Sequence, residues 1–518
     1  MLKKNVIVAS LLSMSMLLGG CGGGDKAPEQ QAAGNKVFRY GTVAYSTSNE
    51  NAGLNPHFSY HGWTTLRYGV GETLFRFNDQ MQPEPWLAEK YEQIDEKTVK
   101  IYLKDKIIFS NGHKLTGAAV KACLEDLMKN HKRAAAALQL EEITADGQTV
   151  TIKTKEKSPA LINALCDPYG CIIDMEAGTA DNLKISGTGP FIAASLTPTE
   201  VHLKKNPSYW GGEVKLDEVI VRSIPDGDTL TLALQNKELD AAQGLPYASL
   251  KLFQENKDFS ISSAATSRVF QAAMNYETPA LQDDKVRQAV SMAIDKNKFT
   301  SVLLRGNGYP AVGPFPTFMG YGPDKLKEAG YDPAKAKELL AEAGYRDTNG
   351  DGYVDKDGRN LELRWLTYTL RQELPLLAEA AQSYLKDIGI KVSVNATDSY
   401  NDFLKKGEWD IFAMAFVAAP TGDPEYYFNT HVAPESAYNR GHYSSPAVTA
   451  LLDELHHEFD PKKRRELALK LSQQVLDDHA IFYASHLKMN LVMQKNVSGF
   501  AAHPSDYYEI NAAVDKKE

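Results

Sequence analysis

The sequence has few cysteines and, beyond its first twenty residues, no long hydrophobic run. Only four cysteines occur among 518 residues, and no two of them form a CxxC pair, which argues against a zinc site built from cysteine. The composition, with 43% apolar and 24% charged residues, is ordinary for a globular protein. A chain of this length exceeds one compact core, so we expect two or three lobes.

The sequence also has fewer basic than acidic residues. The formal net charge is −9 at pH 7, and it becomes −11 when Lys3 and Lys4, the two charges of the first twenty residues, are left out. An acidic surface of this kind disfavours nucleic acid and anionic membrane surfaces as partners.

The one long apolar run begins the chain. Lys3 and Lys4 precede the apolar residues 6–18, and small residues lead to Cys21. This order is typical of a secretory signal over residues 1–20, and the run is too short for a comfortable membrane span. Cys21 behind Leu-Gly-Gly has the pattern of a bacterial lipobox, so we predict that its thiol carries a lipid. Residues 21–36 then form a lipidated flexible tether.

Three cysteines remain. Cys166 and Cys171 are close enough in sequence for a small-loop disulfide, which export would permit. Cys123 is then most simply a buried thiol.

Signatures of catalysis are missing. The chain has neither a GxSxG elbow nor a GxxxxGK[ST] loop. His457-Glu458 could begin an HExxH zinc motif, but Pro461 stands where the second histidine belongs. The adjacent His456 and His457 point in different directions on a helix, so we interpret them as solvated surface. No catalytic residue is predicted, and a lipid-anchored surface hydrolase is the weakest alternative function.

One segment, residues 347–355, imitates the first half of a calcium-binding EF-hand loop. Oxygen-bearing side chains alternate from Asp347 to Asp355, with glycine at the sharp turn. The twelfth position is Gly358 instead of the bidentate glutamate. We therefore favour a carboxylate-rich turn over Ca(II) binding.

Strand-like and helix-like patterns alternate along the chain, which predicts a mixed α/β fold. Asp332 is an expected N-cap, with Pro333 at the first helical position and Gly344 ending that helix. The strands we predict are 37–43, 98–103, 149–154, 201–204, 219–224, 391–394 and 409–416. Further helices are predicted over 372–387 and 461–478.

Seven short motifs appear in order between residues 37 and 510: Leu54-Asn55-Pro56-His57, Pro85-Trp86-Leu87-Ala88-Glu89, Leu103-Lys104-Asp105 with Phe109-Ser110-Asn111-Gly112, Gly187-Thr188-Gly189-Pro190-Phe191, Asn206-Pro207-Ser208-Tyr209-Trp210-Gly211-Gly212, Asp283-Asp284-Lys285-Val286-Arg287-Gln288-Ala289-Val290 and Tyr331-Asp332-Pro333. Together they resemble the family 5 solute-binding proteins of ABC transporters, which bind dipeptides, oligopeptides or nickel.

The resemblance implies a two-lobed periplasmic-binding-protein-like fold of type II, cluster C, with an extra subdomain and a hinge. Lobe I would comprise 37–65, 190–275 and 487–518, with 66–189 as its extra subdomain, and lobe II would comprise 276–486. Ligand binding would close the lobes by hinge motion, because only the closed form lets both lobes contact the ligand.

Within that family the sequence is most similar to the nickel-binding branch. Peptide-binding members place an aspartate four residues before the aspartate of a Gly-Asp-Pro segment, and here Ala419 stands four residues before Asp423. Residues 418–424 and 489–507 look more like the nickel branch. The resemblance therefore implies a Ni(II) chelate, for example with free histidine or a small carboxylate chelator, and a dipeptide or oligopeptide is the alternative ligand.

The expected site follows from the same resemblance. His61 and His503 would ligate the metal, since imidazole suits Ni(II). Arg371, Arg133, Trp63 and Tyr60 would contact the chelator, because arginine pairs well with carboxylates. The branch often has a histidine where alignment puts Ser436, so the nearby His431 and His442 are reserve metal ligands, whereas His57 is expected to be structural.

The expected partners are the ABC permease transmembrane subunits and a small-molecule chelate or peptide. Membrane attachment would be through the lipid alone, with the protein facing the periplasm or the extracellular side. We expect no nucleic acid partner and a monomer.

The anchor can be tested directly. Cys21→Ser removes the predicted lipid acceptor, and each CH₂ of a buried acyl chain contributes ~0.8 kcal/mol to membrane affinity. The variant should therefore move from the membrane fraction to the soluble extracytoplasmic fraction in a fractionation experiment. A Cys21→Ser protein that still sediments with membranes would contradict the lipoprotein prediction.

Overall fold

The computed structural model describes residues 35–43 and 53–517. The predicted signal, Cys21 and nearly all of the tether lie outside these residues. Among the described residues, no helix combines the length and the apolarity needed to cross a membrane.

The strands, in chain order, are β1 Val37–Thr42, β2 Phe75–Phe77, β3 Pro83–Pro85, β4 Ala88–Gln93, β5 Thr98–Leu103, β6 Leu140–Asp146, β7 Thr149–Thr154, β8 Phe191–Leu196, β9 Glu200–Lys205, β10 Glu218–Ser223, β11 Ala241–Gln243, β12 Phe259–Met274, β13 Gly308–Pro310, β14 Asp355–Lys356, β15 Arg359–Asn360, β16 Glu362–Thr367, β17 Lys391–Ala396, β18 Ile411–Val417, β19 Ile481–Gln494, β20 Val497–Ser498 and β21 Asp515–Lys516.

The α-helices are α1 His61–Arg67, α2 Gly117–Asn130, α3 Lys132–Leu138, α4 Leu161–Ala164, α5 Gly227–Gln235, α6 Leu250–Gln254, α7 Asp284–Ala293, α8 Lys296–Lys298, α9 Pro333–Glu342, α10 Glu373–Asp387, α11 Tyr400–Lys406, α12 Glu425–His431, α13 Pro446–His457 and α14 Pro461–Asp477. Short 3-10 turns occur at Pro168–Gly170, Met175–Ala177, Asn182–Lys184, Pro279–Gln282, Thr317–Met319 and Pro323–Lys325, and a π-turn at Phe299–Leu303.

One large mixed sheet runs through both lobes. Its strand order is β17-β16-β18-β12-β19-β11-β1-β10-β9-β8, and β13 also pairs with β19. The first lobe contributes β1 and β8–β11, the second contributes β16–β18, and the long antiparallel strands β12 and β19 join them. The fold is thus the two-lobed, type II periplasmic-binding-protein-like α/β fold that the sequence predicts. The exact domain boundaries stay a prediction.

A second sheet, of order β4-β5-β7-β6, lies within the segment predicted as the extra subdomain. In β5 and β7 every second side chain is buried, because neighbouring residues of a strand face opposite sides of a sheet. Helix α2 turns Val120, Leu124 and Leu127 inward. The alternating face of the sheet and the apolar face of the helix make one core.

The sequence-based predictions of regular structure are mostly confirmed. The predicted strands 98–103 and 149–154 have the observed bounds, and the other predicted strands and helices differ at one or both ends by one or two residues. The Asp332 side chain caps α9 by accepting a hydrogen bond from the Lys335 amide, with Pro333 in the first turn. Gly344 follows that helix with φ +90, a conformation that glycine adopts without steric cost.

The three cysteines within the described residues, Cys123, Cys166 and Cys171, are buried free thiols. The small-loop disulfide that the sequence spacing permits is not formed in this structure. The Cys166 thiol instead donates to the carbonyl of Ile162, and the turn Pro168–Gly170 separates it from Cys171. Cys123 is buried as expected, 3.5 Å from Nε2 of His57.

The acidic turn at 347–355 is stabilised by hydrogen bonds from its backbone amides to its own carboxylates. Asp347 accepts hydrogen bonds from the amides of Gly350 and Gly352, and Asp355 accepts from Thr348. The carboxylates therefore act as turn-forming groups here, which agrees with the interpretation we favour from the sequence. Ca(II) binding stays an untested alternative.

Close packing against the backbone explains the glycine at position 187 of the Gly-Thr-Gly-Pro motif. A Cβ at Gly187 would lie 2.2 Å from the carbonyl oxygen of Val70, whereas one at Gly330 would meet nothing within 4 Å. Gly187→Ala should therefore lower the free energy of unfolding by about 1–3 kcal/mol, and Gly330→Ala should leave it nearly unchanged. Urea unfolding of both variants measures the difference. Equal stability of the two variants would contradict the packing described here.

Candidate ligand-binding site

A cavity of about 740 Å³ opens between the two halves of the molecule. One wall comes from the segment before α1 and from α3, with Tyr60, His131 and Arg133. The opposite wall comes from the second lobe and includes Tyr426 and His456. Cavities of roughly 300–1,000 Å³ are typical of small-molecule sites. The volume suits a small solute that both lobes contact.

Arg133 is the best-held cation of this cavity. Its guanidinium donates two hydrogen bonds of 3.0 Å to the fully buried carboxylate of Asp167. It also lies 5.6 Å from the Tyr60 ring, 5.4 Å from the Trp63 ring and 4.8 Å from the Tyr169 ring. Burial alone would lower the pKa of Arg133, but the Asp167 carboxylate outweighs it and raises that pKa. The structure thus brings Arg133, Tyr60 and Trp63 together. The Asp167 carboxylate compensates the positive charge of Arg133.

The second-lobe wall contains a network of paired charges. Arg464 donates to Asp423 at 2.7 and 3.2 Å and to Glu425 at 3.0 Å. Glu425 also lies 2.7 Å from Nδ1 of His456. That hydrogen bond is the main cause that raises the pKa of His456. Asp423, Glu425 and His456 all line the cavity, but each carboxylate already has a cationic partner.

Three arginines that do not line the cavity act on one another electrostatically: Arg67 of α1, Arg268 of β12 and Arg371, which precedes α10. Arg67 contacts Asp506 through its guanidinium, and Arg268 of β12 lies 3.7 Å from the second oxygen of the same carboxylate. Burial, and then the charge of Arg371, lower the pKa of Arg268 to about 10. Among the described residues, no hydrogen bond or ion pair holds the guanidinium of Arg371. Positive charge therefore exceeds negative charge in this cluster.

A second carboxylate, that of Glu509, compensates little of the positive charge of these arginines. Glu509 is 1% exposed, and its Oε1 lies 3.6 Å from Arg67. Burial is the largest cause that raises its pKa to about 7, so it is partly protonated at neutral pH. The cluster can accept one more anionic group, such as a ligand carboxylate.

The two predicted metal ligands have different surroundings. His61 is buried in α1 against Gly53 and Phe58. His503 lies 2.7 Å from the Ser505 hydroxyl through Nδ1 and 3.8 Å from Asp79 through Nε2. Burial lowers the pKa of His503 to about 4, which keeps the ring neutral. Neither residue lines the cavity as described, and their role as metal ligands stays a prediction.

The reserve ligands differ from each other. His431 is buried against Phe416 with the ring centroids 3.9 Å apart, and burial lowers its pKa to about 3. His442 is exposed and lies 3.8 Å from Glu277. His57, expected to be structural, is buried and lies 2.7 Å from Asp126.

One group of His and carboxylate side chains in the described part of the chain has donor atoms close enough to share a metal ion. It comprises His113, Asp174 and Glu176, whose donor atoms lie within 4.8 Å of one another. It belongs to the extra subdomain and not to the cavity wall, and two of its members are exposed.

Three residues near the candidate site are not predicted from the sequence. His456, which the sequence predicts to be solvated surface, lines the cavity. Asp167 pairs with Arg133, and the charge of Arg371 acts on Arg268. The only sequence signal for His456 is its histidine pair, because its partner Glu425 is 31 residues away.

Two lobes that share a sheet and enclose a cavity with walls from both define a solute-binding protein that closes over its ligand. Residues 82–439 match the family described as bacterial extracellular solute-binding proteins, family 5 Middle. The chain belongs to this family, and it is a binding protein of ABC import rather than an enzyme.

Its relatives include the nickel-binding protein NikA of Staphylococcus aureus, 30% identical over 452 residues that cover 86% of this chain and 89% of NikA. The glutathione-binding protein GsiB of Escherichia coli is 27% identical over 462 residues, covering 85% of this chain and 88% of GsiB. The crystal structure of Staphylococcus aureus NikA with Ni(L-His)2 is similar with a TM-score of 0.79 at 27% identity, covering 93% of this chain and all of that one.

The contribution of the Arg133–Asp167 pair to stability can be tested by substitution. Arg133→Ala leaves a carboxylate buried without its cation, which typically costs about 3–5 kcal/mol. The variant should lose stability of that order in urea unfolding. Adding Asp167→Asn should recover part of the loss, because the uncompensated charge is gone. A single variant as stable as the wild type would contradict the burial of this pair.

Proposed function

We propose that this protein captures a Ni(II) chelate, such as nickel with free histidine or a small carboxylate chelator, and delivers it to an ABC permease. Lipid anchoring through Cys21 on the outer face of the cell membrane completes the proposal. The similarity to nickel-binding NikA and to its Ni(L-His)2 complex supports the ligand class.

The observation that carries the choice of ligand is the pairing of the carboxylates that line the cavity. Asp423 and Glu425 are bound by Arg464, and Glu156 lies 3.7 Å from Lys97. A peptide needs a carboxylate for its ammonium group, and a carboxylate already paired with arginine binds a second cation less well. The cavity of about 740 Å³ also favours a small solute over a long peptide.

The arginine cluster supports an anionic chelate. Arg67 and Arg268 share Asp506, Arg67 also lies 3.6 Å from the partly protonated Glu509, and the charge of Arg371 acts on Arg268. A chelator carboxylate beside Arg268 and Arg371 would relieve their repulsion and would connect β12 to the second lobe. In this proposal Arg371 contacts the chelator, as the resemblance implies. Arg133 would act with Tyr60 as a wall, since its charge is taken by Asp167, while Trp63 packs 5.4 Å from the Arg133 guanidinium without lining the cavity.

Peptide binding is the alternative. Glutathione-binding relatives are 27% identical, and glutathione is small enough for the cavity. Calorimetry of metal-free protein with Ni(II) plus L-histidine, and separately with glutathione, dipeptides and oligopeptides, distinguishes the two functions. We expect heat from the nickel chelate alone. Tight peptide binding without a nickel–histidine response would reject the nickel proposal.

Arg371 variants test the anion contact in the same titration. Arg371→Ala should weaken binding of nickel–histidine about tenfold or more, because charge-assisted hydrogen bonds are worth about 1.5–3 kcal/mol. Arg371→Lys should be nearly as weak if the guanidinium binds a carboxylate through two parallel hydrogen bonds. Arg359→Ala, at an exposed arginine of β15 in the same lobe, is the matched control and should bind like the wild type.

The predicted metal ligands can be tested by the same calorimetric titration. His61→Ala and His503→Ala should each lower the affinity steeply if both imidazoles bind the metal, because water is a weaker ligand. His442→Ala is the exposed control. Loss of binding in His431→Ala and His442→Ala, with His61→Ala and His503→Ala unaffected, would place the metal at the second-lobe segment that holds His431 and His442.

A further inference from the structure

The two histidines that line the cavity, His131 and His456, differ in how many of their ring nitrogens form hydrogen bonds. His131 uses both: Nε2 lies 2.8 Å from the Ser59 carbonyl, and Nδ1 accepts from the Ala134 amide at 3.1 Å. His456 uses one, since Nδ1 faces Glu425 at 2.7 Å. In the described part of the chain no hydrogen bond or ion pair engages Nε2 of His456. Its side chain is 37% exposed, and His456 is one of the residues that line the cavity.

His456 is held in one orientation by groups that are themselves fixed. Glu425 accepts from Arg464 at 3.0 Å through its other oxygen. Arg464 is 7% exposed and also donates to Asp423 and to the carbonyls of Leu455 and Glu458. The Glu425 carboxylate therefore cannot swing away without leaving a buried arginine less compensated. It fixes the tautomer in which Nδ1 carries the proton and Nε2 carries the lone pair.

We propose that Nε2 of His456 is a ligand to the divalent transition-metal ion of the chelate bound in the cavity. A carboxylate that accepts from the second nitrogen is the usual companion of a metal-binding histidine, because it orients the ring and makes the ligand more basic. Imidazole is also a preferred donor for Ni(II) and Cu(II). The chelator supplies further donors, so one imidazole from the second lobe couples metal binding to lobe closure. This inference deepens the proposed nickel function and rests on it.

The neighbouring residue offers a matched control. His457 lies on the same helix α13, is 51% exposed and bonds through Nδ1 to the Asp453 carbonyl. It does not line the cavity. His456→Gln keeps a polar side chain facing Glu425 but removes the imidazole, whereas His457→Ala removes an imidazole of similar exposure from the surface.

The test uses the full chain and two measurements. Calorimetry with Ni(II) plus L-histidine should show wild-type affinity for His457→Ala and a loss of on the order of tenfold or more for His456→Gln and His456→Ala. Pulsed electron paramagnetic resonance with Cu(II) plus natural-abundance L-histidine on ¹⁵N-labelled protein should show a ¹⁵N imidazole coupling. That coupling should persist in His457→Ala and weaken in His456→Gln.

The outcomes separate this proposal from the function on which it rests. If the wild type gives no nickel–histidine response, the proposed function fails and this inference fails with it. If the wild type binds but His456→Gln keeps its affinity and its ¹⁵N coupling, only the role of His456 is rejected. Weaker binding with an unchanged ¹⁵N coupling also rejects coordination, because His456 then contacts the chelator and not the metal. Circular dichroism and thermal unfolding of His456→Gln show whether it is folded.

Discussion

The antiparallel pairing of β12 with β19 is the contact on which both lobes depend. These strands are 16 and 14 residues long, and they lie at the centre of the shared sheet. On one side β19 pairs with β11 of the first lobe, and on the other β12 pairs with β18 of the second. The register of the pair is interrupted between Ala265 and Val269. An interruption of this kind bends a strand, and this one lies where the pairing of β12 with β18 begins, at Arg268.

The same irregularity brings Arg268 into the space between the lobes. There it shares Asp506 with Arg67, and the charge of Arg371 acts on it from the second lobe. Like charges held this close repel one another. An anionic ligand of the proposed class would reduce that repulsion. The strand irregularity and this concentration of positive charge lie in one segment of β12.

Charge pairing also limits what the cavity recognises. Arg464 and Arg133 use their charges on Asp423, Glu425 and Asp167, and these pairs stiffen the walls. The groups of the cavity wall left for a ligand include aromatic rings and a ring nitrogen of His456, and the arginine cluster adds positive charge outside that wall. This combination differs from a peptide site, where a carboxylate must meet an ammonium group, and it is consistent with a metal held by a small anionic chelator.

The sequence by itself determined the fold class and most regular elements. Alternation in strands such as β5 and β7 and the Asp332-Pro333 helix start are local signals, because they depend on residues a few positions apart. Ordered motifs along the chain indicated the family, and one of them, Gly187-Thr188-Gly189, has its explanation in close backbone contact with Val70.

The site was decided by the tertiary structure. Arg133 meets Asp167 across 34 residues, Glu425 meets His456 across 31, and Arg67 meets Asp506 across 439. Sequence spacing carries no signal of such pairs, so Arg133 looked like a free receptor for carboxylates and His456 like solvated surface. The spacing of Cys166 and Cys171 permits a disulfide but does not decide whether one forms, and the structure leaves both thiols free. Which charges remain unpaired is known only when the lobes have folded together, and the unpaired groups are the ones that can bind a ligand.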